Sequence, residues 1–238
     1  MSTAKATGYR SHAASLKLVA SNYAFRCDAK FANAEHKKIE DKIRAAGYFE
    51  LNEFLPFPFA KGVQPTYLDQ PSDDSVPAVN TLSIQNLALN VANCRHIARD
   101  DFDNLTEERK LSKGDVLLTV DGGVSIGKPL LFSEDSDFTV DSHVVVLRPK
   151  TISPLSLVYL LASPWGQAQF ARAESGASGQ TTVTEDDVRR FIFPRAILST
   201  ISKLAEGIEK ERAKIAAERA KLSQSEAQLW QRLDVVGI

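Results

Sequence analysis

The chain has 238 residues, 43% of them hydrophobic, and a formal net charge of −1, which suits one large domain or a domain with an extension. It holds no run of about 18 apolar residues that could cross a membrane. The N-terminal MSTAKATGYRSHAAS has no continuous apolar stretch of the secretory kind, and Cys27 and Cys94 stand far apart, which reads as two free thiols in a reducing cytoplasm.

The near-zero charge hides a segregation. Residues 1–50 carry nine basic against five acidic residues, residues 51–194 twelve against nineteen, and residues 195–238 eight against six. An acidic middle argues against simple attraction to nucleic acid, because phosphate neutralisation needs Lys and Arg.

Residues 1–22 read as a lead-in. FANAEHKKIEDKIRAAG then predicts a helix, with Ile39 and Ile43 on one face and Gly47 as its stop. YFELNEFLPFPF, with two prolines two residues apart, reads as a turn or edge segment. VPAVNTLSIQNLALN, GDVLLTV, KPLLF and HVVVLRP read as strands separated by Gly, Asp, Asn and Ser turns. After Thr151 the apolar period lengthens to that of helices. Ser153-Pro154 and Ser163-Pro164 each supply an N-cap followed by proline at the first helical position. Thr184 precedes an acidic first turn, and that segment leaves through FIFP, stopped by Pro194.

From Ile197 to Leu233 there is no proline and one glycine, Gly207. Ile201, Ile208, Ile215, Leu222 and Leu229 recur at seven-residue intervals, one heptad position held for five repeats. The second heptad position is apolar only at Leu204, before Glu211, Glu218 and Ser225. This predicts a long helix with a narrow seam, paired with another helix, rather than a strict coiled coil. The whole is an α+β chain: a lead-in over 1–22, a domain with a small twisted, mixed β-sheet and short helices over 23–195, and a long coiled-coil-type C-terminal helix over 196–238.

DGGVSIGKP (121–129) raises the question of nucleotide binding, since Gly122, Gly127 and Lys128 fit the spacing of a phosphate loop. Such a loop needs Ser or Thr after the lysine and a helix whose N-terminus faces the phosphates. Here Pro129 follows Lys128, and LLFSEDSDF has no helical period. The segment therefore reads as a turn shaped by Gly122, Gly123 and Gly127. Other chemistry fares no better. His12, His36, His96 and His143 are dispersed, and Cys94 and His96 are too close in sequence for an ordinary zinc pair with no second pair to answer them. No nucleophile elbow appears, and an Asp115…Lys128 pairing is too loose to read as a nuclease. His143, inside an apolar strand, is expected to be a hydrogen-bonded core histidine. No catalytic or metal-binding constellation emerges.

Taken in order, KGDVLLTVDGGVSIGKPLLF, FTVDSHVVVLRP, SLVYLLASPWGQAQFARAESGASGQTTVTEDDVRRFIFP and the long helix resemble the DNA-specificity (S) subunit of type I restriction–modification systems. Upstream, YAFRCDAKF and KGVQPTYLDQPSDDSVPAVNTLSIQNL resemble the opening of its target-recognition domain, so the resemblance spans roughly 23–233. The chain departs from the family in the start of its last helix, PRAILSTISKLAEG, and in having one recognition domain and one long helix where most members have two. The resemblance implies a half-subunit form without catalysis or cofactor of its own. Two copies would pair antiparallel through Ile201, Leu204, Ile208, Ile215, Leu222 and Leu229. The homodimer would read a bipartite double-stranded DNA site for an adenine methyltransferase subunit that binds S-adenosylmethionine, and a restriction/translocase subunit could join.

Direct readout uses polar side chains on loops and helix ends. The loop candidates are Lys61, Gln64, Thr66 and Tyr67; Asn80, Thr81, Gln85 and Asn86; Ser125 and Lys128; and Ser178, Gln180, Thr181 and Thr182. Lys128 is favoured as a phosphate contact and Gln180 as a base reader. The acidic middle is compatible with this if Arg95, Arg99, Arg109, Lys110, Lys113 and Lys128 gather on one face. Two rival readings stand beside it: a protein-interaction module with a helical docking arm that needs no DNA, and a nucleotide hydrolase that depends on Lys128.

Overall fold

The computed structural model describes residues 30–31, 33–177 and 180–235. The lead-in, Cys27, most of YAFRCDAKF, Ser178 and the side chain of Gln180 lie outside the described residues. In chain order come α1 (Ala34–Ala45), β1 (Tyr48–Glu50), β2 (Ala60–Lys61), β3 (Val76–Val79), β4 (Ile84–Gln85), β5 (Ala88–Leu89) and β6 (Arg95–Ile97). Next are α2 (Arg99–Asp103), β7 (Val116–Thr119), β8 (Pro129–Leu131), β9 (Thr139–Val140), β10 (Val144–Leu147), α3 (Pro154–Ala162) and α4 (Pro164–Ala173). The chain closes with β11 (Ser175–Ala177), β12 (Gln180–Thr182), α5 (Glu185–Arg189), β13 (Ile192–Pro194) and α6 (Ile201–Val235).

The expected caps form. Asn33 Oδ1 accepts the Glu35 N–H at 2.9 Å to start α1, and Gly47 leaves it with φ +80°. Ser153 and Ser163 Oγ accept from Ser156 N at 3.1 Å and Gly166 N at 3.2 Å. Thr184 and Asp187 cap α5 reciprocally.

Four strands form the central sheet in the order β2-β10-β7-β8, each pairing antiparallel. A second sheet, β6-β3-β9, is mixed, because β3 runs parallel to β9 and antiparallel to β6. Every residue of β7 and β10 is buried; β10 is an unbroken apolar run and β7 is one up to Thr119. Their side chains still alternate. Val116, Leu118, Val145 and Leu147 enter one core with Leu157, Leu160, Phe170 and Phe193. Leu117, Val144 and Val146 enter a second with Val79, Ile84, Phe132, Phe138 and Val140. The central sheet is thus the middle layer, between the helices and the second sheet. Each of these side chains contributes about 1.5–3 kcal/mol by leaving water. β1 and β13 close the domain, with Phe49 stacked on Phe193 at 5.9 Å.

Within VPAVNTLSIQNLALN the chain turns at Asn80 after β3, where Asn80 Oδ1 accepts from Leu82 N (2.8 Å) and Ser83 N (3.1 Å), and returns as the β4–β5 hairpin. A short polar side chain that satisfies neighbouring amides favours the turn. One expectation changes. His143 is exposed rather than a core histidine. It precedes β10, and its backbone N–H is held by Asp141 Oδ1 at 2.9 Å.

Candidate nucleic-acid interface

The glycine loop is a hairpin connection. Thr119 N–H donates to the Lys128 carbonyl (3.1 Å) and Gly127 N–H to the Thr119 carbonyl (2.9 Å), locking the join from β7 to β8. Gly122 is left-handed at φ +103°, a single 3-10 turn covers Gly123–Ser125, and Gly127 has φ +79°. β8 begins at Pro129, so no helix follows Lys128 to face a phosphate. Lys128 Nζ instead donates to Ser125 Oγ at 3.2 Å, and Val124 at the loop tip is 99% exposed.

Several loops converge around this turn. Lys61 Nζ meets Asp121 Oδ2 at 2.9 Å. The Gly122 N–H donates to the Thr181 carbonyl at 3.3 Å, and Asp121 bridges to Thr182. A Cβ at Gly122 would lie 3.7 Å from Thr81 Cγ2, so the loop after β3 abuts the same turn. Val120 N–H reaches the His143 carbonyl at 3.0 Å. Gly62 packs so closely on the segment before His143 that a Cβ there would lie 2.1 Å from the Asp141 carbonyl oxygen. Beyond Gly62, Gln64 Oε1 accepts from Ser142 Oγ at 3.0 Å, and Tyr67 hydroxyl donates to Asp141 Oδ2 at 3.4 Å. Thr66 is exposed beside a cleft that Val63, Ile97 and Val140 also line.

Thus Lys61, Gln64, Thr66, Tyr67, Thr81, Ser125, Lys128, Thr181 and Thr182 belong to one connected rim. Ser125 and Thr181 are nearly buried in it and shape it; Thr181 Oγ1 is bonded to Glu174. Other candidates are placed differently. Asn80 is 7% exposed and spends its amide on the Asn93 carbonyl at 2.9 Å, so it builds the turn. Gln85 Nε2 donates to the Leu82 carbonyl at 2.9 Å. Asn86 and Leu87 are both left-handed, φ 51° and 61°, forming the two-residue β4–β5 turn, and the Asn86 carbonyl accepts from Arg212 of α6.

Burial sets the chemistry of the rim. It pushes the Tyr67 hydroxyl up to about 12, helped by the neighbouring Asp141 carboxylate. The Asp141 carboxyl is also raised by burial, against the stabilising His143 N–H. The expected basic face does not assemble from free cations. Arg99 pairs with Asp137 (2.5 Å) and Asp74 (3.4 Å), Lys110 with Glu107 (2.8 Å) and Lys113 with Asp135 (2.9 Å). Arg109 Nε is bonded to the Lys61 carbonyl at 3.1 Å. Carboxylates that the fold brings alongside take up the charge of these cations, Asp137 and Asp135 lying 38 and 22 residues from Arg99 and Lys113, which a segment-wide count of charge does not reveal.

The arm begins inside the domain. A 3-10 turn over Arg195–Ser199 precedes α6, whose Ile201 (8% exposed) and Ala205 (1%) pack into the first core against α3. Ile201 is therefore taken by its own domain, not free for a partner. Tyr159 hydroxyl donates to Glu209 Oε1 at 2.6 Å and fixes the next turn. Leu204, Ile208, Ile215, Leu222 and Leu229 are 45–60% exposed along the helix, and Trp230, which lies off their seven-residue line, is 67% exposed. At about 1.5 Å per residue the 35-residue helix is about 52 Å long. The sequence reading also passed over Gly62 and Val124. Neither carries a signal: one is a lone glycine in an ordinary loop, the other an apolar residue whose exposure only the hairpin reveals.

No family model and no curated protein matches the chain. Among solved structures, a chain of a type I R-M system, solved for its complex assembly and conformational transition, aligns with TM-score 0.50 at 14% identity over 83% of this chain. The HsdS subunit of Thermoanaerobacter tengcongensis aligns with TM-score 0.47 at 16% identity, covering 78% of this chain and 46% of that one. The type I restriction–modification S subunit of M. genitalium aligns with TM-score 0.43 at 14% identity, covering 73% and 42%. This chain spans 50% of the first neighbour's length. Among the described residues, no helix is long and apolar enough to cross a membrane. With its small mixed sheets and long C-terminal helix, the chain shares the fold of the aligned chain from a type I R-M system.

Proposed function

We propose that the chain recognises a bipartite DNA sequence for a type I restriction–modification system, and that it directs an adenine methyltransferase subunit there without catalysing a reaction itself. The observation that carries this reading is the rim. Five separate stretches, at 61–67, 81, 121–128, 141–143 and 181–182, are hydrogen-bonded or packed into one polar edge on a rigid two-sheet scaffold. Loops fixed by a scaffold are the usual means of presenting side chains to base edges. Lys61, Thr66, Thr81 and Lys128 are the DNA contacts, Tyr67 shapes the rim beside them, and Gln180 and Ser178 are further candidates for reading bases. Two copies pair through Leu204, Ile208, Ile215, Leu222 and Leu229, giving one rim per half-site. A restriction/translocase subunit joins the same assembly.

A second reading, a protein-docking module without DNA, draws on the neutralised cations and on the exposed Val124. Gel shifts of the full chain, alone and with a co-expressed methyltransferase subunit, separate the two. Weak binding alone that tightens with the partner is expected, and Lys61→Ala with Lys128→Ala should lower affinity roughly tenfold. No shift in either arm would leave the docking module standing.

A further inference from the structure

Arg95 lies on β6, an edge strand paired only with β3, and is exposed. Its guanidinium carbon sits 3.5 Å from the centroid of the Tyr67 ring. Most arginines of the globular domain are committed elsewhere: Arg99, Arg148, Arg172, Arg189 and Arg195 are paired with carboxylates, and Arg109 is bonded to a carbonyl. Arg95 has the aromatic face beneath it and solvent around its N–H groups.

The platform is fixed from several sides. Tyr67 packs on the small core of Val76, Ala78, Ile97 and Phe102. Its hydroxyl is held by Asp141, and the Leu68 N–H donates to the His96 carbonyl at 2.8 Å, tying this segment to β6. A guanidinium stacked on a fixed ring keeps its five donors in a rigid fork and has already lost much of the side-chain freedom that binding would otherwise remove. A planar fork of parallel donors matches two acceptors side by side. In the major groove that is the O6 and N7 edge of guanine.

Resting on the DNA-recognition reading above, we infer that Arg95 is a specificity-determining residue that reads a guanine in each half-site, with Tyr67 as its positioning residue. The class of ligand is a guanine edge in duplex DNA. A phosphate is the competing partner, and lysine would serve that as well as arginine.

The test is selection from a randomised duplex library by the full chain at low salt, with the enriched pools sequenced. Wild type should enrich a motif containing a guanine. Arg95→Lys, which keeps the charge but loses the fork, should lose preference at that one position by about tenfold or more, while its affinity for unselected duplex stays unchanged. Tyr67→Leu should weaken the same position, and Tyr67→Phe, which keeps the ring, should weaken it less. Arg95 is exposed, so these readouts do not depend on rescuing the fold. A motif that survives intact in Arg95→Lys, or a uniform loss in Arg95→Ala that lysine restores, would overturn the inference and make Arg95 a phosphate contact. A wild-type pool with no motif would instead sink the DNA-recognition reading, and this inference with it.

Discussion

Gly127 carries two constraints at once. Its φ of +79° disfavours any side chain, and a Cβ would lie 2.8 Å from the Phe170 ring. Gly123, in the same loop, has φ +58° but open space around it. Gly127→Ala should therefore cost about 2–5 kcal/mol and Gly123→Ala about 1–2 kcal/mol, read as chemical-denaturation midpoints. Equal losses would mean that the Phe170 contact is not formed. Asp141 gives a pH test. Its carboxyl is raised by burial, so the folded chain keeps a proton that the unfolded chain releases above the ordinary value of 3.8. The native state binds more protons in that window, so this residue's contribution falls as pH rises through it. The loss of stability as pH rises above about 4 should be smaller in Asp141→Asn than in wild type. At this scale the glycine turn was legible in the sequence, because turn chemistry is local. Sequence alone could not reach Gly62, His143 or the roles of Asn80 and Ser125, which depend on what a distant loop brings alongside.

Among the elements, α6 divides into an anchored base and a projecting arm. Ile201, Ala205 and the Tyr159–Glu209 hydrogen bond hold the base, so Tyr159→Phe should cost about 1–3 kcal/mol and raise amide exchange in the first turns of the helix. Ile215→Glu lies on the exposed seam, half open to solvent. It should abolish self-association in sedimentation while leaving the melting of the domain within about 0.5 kcal/mol of wild type. Unchanged self-association would remove the seam from the dimer. The short capped helices and β7, β8 and β10 were legible, since caps and apolar runs act over a few residues. The pairing of β1 with β13 was not: both are three-residue segments far apart in the chain, and only closure of the domain brings them together.

For the molecule as a whole, charge is the deciding quantity. With Arg99, Lys110 and Lys113 paired to carboxylates and Arg95 assigned to a base edge, the rim offers phosphate Lys128 and Lys61, the latter shared with Asp121. About two phosphate contacts per copy predict a log-affinity against log-salt slope of about −2 for a single copy, and little affinity at physiological salt without partners. A slope several times steeper would place a larger basic surface on the chain. The most direct test of the central claim is footprinting of the chain with the proposed methyltransferase subunit on a selected duplex. The account predicts two protected half-sites related by a two-fold axis, reduced to one weak patch by Ile215→Glu. Protection of a single asymmetric stretch by the wild-type assembly, or no protection, would contradict it.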